Sequence, residues 1–111
     1  MRILVSNPIA YGIALPSKGF PCLYLFGDAR LCKVGKTTDL AQRSKTYARN
    51  GWPCLAFVGP FTDLRIAEND LVRHFRTLFR PFSGNERFET DKDSALRAFV
   101  LFYAPILASG E

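Results

Sequence analysis

Tyr24, Lys33, Arg43 and Glu68 are the side chains of this chain whose types and spacing suit chemistry on a phosphate. Tyr24 and Lys33 lie in two short apolar runs, Cys22 to Phe26 and Leu31 to Val34, separated by the polar turn Gly27-Asp28-Ala29-Arg30. Runs of strand length around such a turn predict a β-hairpin. Closure about Asp28 and Ala29 sets Phe26 opposite Leu31, Leu25 opposite Cys32 and Tyr24 opposite Lys33. Opposed residues share a face, with Cβ atoms about 4.5–5.5 Å apart. Asp39 followed three residues later by Gln42 is an Asp version of the capping box and starts a helix. Arg43, one turn into that helix, reaches back over the same face. A phenol, an ammonium and a guanidinium then form a patch that suits a phosphate.

Glu68 comes from a second helix, capped by Thr62 or Asp63 and running to about Phe79. Its apolar stripe is Leu64, Leu71, Phe75 and Leu78, with Ala67 beside it, and Glu68 falls on that stripe. An ionised carboxylate on an inner helix face is costly unless it is paired or holds a metal, and both readings stay open from the residues alone. His74 on the same helix reads as structural. Asp63, Asp70 and Arg65 read as solvent-facing charges.

The aromatic strand, the turn, the strand end Lys33-Val34-Gly35-Lys36-Thr37 and an arginine eight residues after Gly35 together resemble the GIY-YIG nuclease superfamily. The likeness is to its compact phage and mobile-element branch, in which lysine replaces the second tyrosine. It spans about residues 23–88. Cys22-Leu23-Tyr24 stands where the family reads Gly-Ile-Tyr, and Tyr47 where many relatives carry histidine. The resemblance implies a metal-dependent endonuclease that hydrolyses DNA phosphodiester bonds, with Tyr24, Lys33, Arg43 and Glu68 as its catalytic set. It implies that Glu68 holds one Mg²⁺ (or Mn²⁺) ion, with Tyr24 and Lys33 orienting and helping to deprotonate the attacking water. Gly84, Glu86 and Phe88 fit the element that closes the core of that branch, and Asn85 matches an active-site asparagine of some members. Lys36, Thr37, Lys45, Arg49 and Asn85 are the expected nucleic-acid contacts. The alternatives are an inactive relative that only binds DNA, and an interaction or inhibitor protein that acts through its last helix.

The surrounding elements must hold these groups in place. The 111 residues suit one domain, and 48% apolar content predicts a packed globule. The expected class is α+β: a small central antiparallel sheet, made from the hairpin and a third strand at Cys54 to Val58, flanked by three helices. Residues 1–21 form an irregular arm with an edge strand at Arg2 to Val5, 22–89 the core, and 90–111 an apolar helix and tail. The first helix runs from about Asp39 to Arg49, with Leu40, Ser44, Tyr47 and Ala48 inward and Arg43, Lys45 and Arg49 on a basic outer side. The loop residue Trp52 is assigned to packing. The last helix, from Asp91 to about Ala104, is apolar nearly all round, so residues 98–107 are expected to meet a second copy or a protein partner.

The net charge of +5 permits a polyanionic partner such as DNA. Cys22, Cys32 and Cys54, lacking C-x-x-C spacing, read as buried reduced thiols of a cytoplasmic protein, in a bacterial host if phage-encoded. No zinc site and no membrane span are expected. Gly35-Lys36-Thr37 resembles the end of a P-loop, but Arg30 stands where that motif needs its first glycine, so no nucleotide cofactor is expected.

Overall fold

A computed structural model of the chain describes residues 2–84 and 86–108, the last three as backbone. The class is α+β, a six-stranded antiparallel sheet with three helices. The strands are β1 (Ile3–Ser6), β2 (Cys22–Gly27), β3 (Leu31–Thr37), β4 (Cys54–Gly59), β5 (Arg80–Pro81) and β6 (Arg87–Glu89). The helices are α1 (Leu40–Ala48), α2 (Leu64–Leu78) and α3 (Lys92–Ala108). Strand order across the sheet is β1-β4-β2-β3-β6-β5. The expected three strands thus form the centre, and β1 on one side and β6-β5 on the other widen it. β1 is an edge strand, as its position near the arm suggests.

Every residue of β2 and β4 is buried, because each strand is covered on both faces. On one face Leu23, Leu25, Cys32 and Val34 pack under Leu71 and Phe75 of α2 and Phe99 of α3. On the other, Cys22, Tyr24, Phe26, Cys54 and Phe57 pack with Leu40 of α1. Leu15 and Phe20 of the arm and Trp52 of the loop complete that second layer. Period-two alternation along β2 therefore sorts Tyr24 to the α1 side and its neighbours Leu23 and Leu25 to the α2–α3 side.

The hairpin differs from its expected register. Tyr24 pairs with Gly35, Leu25 with Val34 and Phe26 with Lys33. The cause is the loop: Asp28 Oδ1 accepts from the backbone N–H groups of Arg30 (2.8 Å) and Leu31 (2.9 Å). The Asp28 N–H also donates to the Leu31 carbonyl at 2.9 Å, closing a four-residue turn where two were expected. The slip is two residues, so face parity survives and Tyr24 and Lys33 still project to the same side.

Asp39 caps α1 by accepting from the Gln42 N–H at 3.2 Å, and Asp63 caps α2 by accepting from that of Ile66 at 3.1 Å. Gly51, at φ +75°, ends the turn that follows α1. Ala48 is exposed rather than inward, and Leu78, placed on the buried stripe of α2, is 52% exposed. Trp52 packs as expected, stacked on Tyr47 with its indole N–H donating to Asp28 Oδ2 at 2.9 Å.

The last helix departs most from expectation. It runs four residues further than Ala104, and the apolar surface of its described side chains is largely internal. Ala95, Ala98, Phe99 and Tyr103 are buried against the sheet, and Phe102 stacks on His74 at 4.4 Å between ring centroids. Leu101, 62% exposed, is the large outward apolar residue of its described side chains. The sheet is wider than the three strands anticipated, and β1 adds to the floor that β2 and β4 give this helix.

Candidate active site

Tyr24 projects from the centre of the sheet toward α1 and is 1% exposed. Arg43 Nη1 approaches the Tyr24 hydroxyl at 3.5 Å, and its guanidinium carbon stands 5.9 Å from the ring centroid. The helix begun at Asp39 thus delivers Arg43 to the phenol, as its position one turn in requires. Burial pushes the Tyr24 phenol well above its ordinary range. Tyr47 adds to that push, Arg43 opposes it, and Glu86 contributes a smaller rise. The phenol therefore keeps its proton at neutral pH. In that state its hydroxyl suits orienting a water, and a base there would need the proton removed first.

Lys33 is 9% exposed and sits on the Tyr24 side of β3. Its ammonium donates to Glu86 Oε2 at 2.6 Å. Glu86 is carried there by the segment entering β6, whose carbonyl at Glu86 also accepts from the Val34 N–H at 3.0 Å. Burying an ammonium demands such a partner.

Lys36, three residues on, projects from the opposite face of β3. There it meets Glu68 of α2, with Nζ to Oε1 at 2.7 Å. Glu68 is 8% exposed and lies inward, as the stripe requires. Its partner in the protein is this lysine rather than an arginine. Lys36, expected to face nucleic acid, is thereby engaged within the protein, although its side chain is still 44% exposed.

Thr37 is corrected more fully. It is buried, and its hydroxyl oxygen accepts from the Asp39 N–H at 2.9 Å, so its task is to shape the entry to α1. Lys45 and Arg49 are exposed on α1. Asn85 lies outside the described residues.

The two charged pairs flank β3 from its opposite faces, Lys33 before its midpoint and Lys36 near its end. β6 covers only Leu31 to Lys33 there, with Val34 as the last bonded position. A cavity of about 310 Å³ opens beside this edge, lined by Glu68, Asn69, Val72, Arg73, Arg76 and Glu86. Glu86, Arg73 and Arg76 were not among the expected site residues. Arg76 follows Glu68 and Val72 at i+8 and i+4, so helical spacing could have found it. Glu86 was read only as part of the core-closing strand.

Among the described residues, no group of three or more His, Cys, Asp and Glu side chains gathers as a ready cage for a metal. Glu68 and Glu86 line that one cavity and present carboxylate oxygens of the kind a Mg²⁺-like ion takes. Such an ion takes one or two carboxylates and completes its shell with water and substrate phosphate. The three cysteines are buried free thiols on both faces of the sheet, each pushed up to about 12 by burial. Gly35-Lys36-Thr37 lies in strand β3 and not in a broad loop before a helix.

No family model, curated protein or solved structure matches this chain.

Proposed function

We propose that this protein is a metal-dependent endonuclease of the GIY-YIG type, acting on DNA phosphodiester bonds. The supporting observation is the gathering of three of the four groups on one side of β3, with the fourth reaching that strand from its other face. Tyr24 and Arg43 stand in contact on one side of β3, Lys33 shares that side, and Glu68 reaches the far end of the strand from α2.

Hydrolysis needs a placed water, neutralisation of charge growing on the phosphoryl oxygens, and help for the leaving oxygen. Arg43 offers a planar fork to two of those oxygens from its place beside the Tyr24 ring and hydroxyl. Lys33 enters as an ammonium and acts as an electrostatic clamp. Tyr24, protonated and rigidly packed, orients the attacking water through its hydroxyl. Glu68, with Glu86 beside it, would hold the divalent ion, which supplies Lewis-acid stabilisation of the scissile phosphate and the leaving oxygen. Lys45 and Arg49 extend the positive face along α1 for the flanking backbone. The setting that fits this activity is a phage or mobile element working in the bacterial cytoplasm. Among the described residues no helix is long and apolar enough to cross a membrane.

A second reading, DNA binding without cleavage, draws on the ion pairs themselves. Both carboxylates are neutralised by lysines in the protein alone. One experiment separates the two. Supercoiled plasmid and single-stranded DNA are incubated with wild type, Glu68→Ala and Arg43→Ala, in Mg²⁺, Mn²⁺ or EDTA. Cleavage by wild type that vanishes with EDTA and in both variants is expected. Salt-sensitive binding by wild type with no cleavage of either substrate would leave only the second reading.

A further inference from the structure

Lys33 and Lys36 sit on opposite faces of β3, and each is held by a carboxylate, Glu86 at 2.6 Å and Glu68 at 2.7 Å. Both carboxylates line the same cavity, with Arg73 and Arg76 on its wall. The four groups of the two pairs carry no net charge together. A divalent cation arriving alone must compete with two ammoniums for their carboxylates, in a setting already rich in arginine. A phosphodiester arriving alone meets lysines whose charge is already matched. Each ligand is disfavoured by the pairing that the other would undo.

We infer that the two lysine–glutamate pairs latch the site, so that a phosphodiester and a divalent cation bind cooperatively by exchanging partners with them. The lysines swing to the phosphate oxygens and the two freed carboxylates match the charge of the cation, leaving one surplus positive charge for a neighbouring phosphate of the same strand to take up. The inference rests on the endonuclease reading of this site but concerns binding, not turnover. Lys36 is the movable half of the latch, since its side chain is 44% exposed whereas that of Lys33 is 11% exposed. Coupling through shared partners is reciprocal, so each ligand tightens the other by the same factor.

The test measures free Mn²⁺ by electron paramagnetic resonance during titration of the full chain. It is run at fixed ionic strength, with and without a duplex oligonucleotide whose phosphorothioate linkages resist cleavage. For wild type, the oligonucleotide should tighten Mn²⁺ binding about tenfold or more. Lys36→Gln should bind Mn²⁺ more tightly than wild type without DNA, and should lose most of the gain on adding it. Lys36→Arg, which keeps the cation, should retain the coupling. Thermal melts of each variant confirm that folded protein is compared.

Equal Mn²⁺ affinity of wild type with and without the oligonucleotide would overturn the latch. So would a Lys36→Gln variant indistinguishable from wild type. If plasmid cleavage persists alongside either result, the endonuclease reading stands and the latch alone is lost.

Discussion

Gly35 lies directly opposite Tyr24 across the hairpin, and a β carbon on it would stand 2.6 Å from Cζ of the phenol ring. The phenol lies across the strand where any other residue would place its side chain. Tyr24 is packed against Phe26 and Tyr47 and has no slack to retreat into. Gly35→Ala should therefore displace the ring, cost about 1–3 kcal/mol in urea unfolding as an overpacked core does, and abolish cleavage. An alanine variant as stable and as active as wild type would show that the ring has room to move.

The Lys33–Glu86 pair should break asymmetrically. Glu86→Ala strands an ammonium on a residue that is 9% exposed, at a cost of about 1–3 kcal/mol. Lys33→Met leaves a carboxylate that is 41% exposed and can turn to water, so its cost should be well under that of Glu86→Ala. Denaturant midpoints of the two variants give the comparison directly, and equal losses would contradict it.

Asp28 contributes to the acid side of stability. Backbone N–H groups of Arg30 and Leu31 hold its carboxyl below the ordinary 3.8, with Trp52 assisting. A depressed carboxylate contributes stability that is present above 3.8 and is lost as pH falls through its lower folded value. Asp28→Asn should flatten that part of the stability–pH curve. It should also cost about 1 kcal/mol near neutrality, because the amide cannot accept from the indole and the loop amides as the carboxylate does.

Cys22, Cys32 and Cys54 should react with a disulfide reagent only when the sheet opens. Thiols pushed up to about 12 by burial hold little thiolate at neutral pH, and no part of these side chains is readily reached. Labelling should be slow in the native protein and should accelerate with urea in step with global unfolding. Fast labelling of any one would place that thiol outside the packed layers.

Lys45 and Arg49 are predicted to track backbone phosphates. Replacing both with alanine should weaken duplex binding uniformly across sequences. The slope of log affinity against log salt should fall by about 0.9 for each lost contact. An unchanged slope would assign these residues to solvent alone.

The local signals carried the reading of the sequence a long way. Asp39 caps the helix it was expected to cap, Asp63 proves to be the cap of the two candidates offered for α2, and alternation along the hairpin put Tyr24 and Lys33 on one face despite a slipped register. That slip was hidden because it depends on how the Asp28 carboxylate wraps the loop amides, which no residue spacing displays. Glu86 was harder still. It stands 53 residues from Lys33 in the chain and arrives just ahead of a strand of only three residues. The burial of the last helix was illegible for a related reason, since its floor is built partly by β1, from the far end of the chain.

The spacing of the two lysines along β3 has a consequence for how such a chain can change over generations. They are three residues apart, an odd number, and this sends one ammonium to each side of the sheet. A single codon gained or lost between Lys33 and Lys36 would put both on one side, crowding one carboxylate and abandoning the other. A two-codon change would preserve the partition. Inheritance at this strand is therefore constrained by parity before it is constrained by residue identity, and length variants that keep the site should differ there in steps of two.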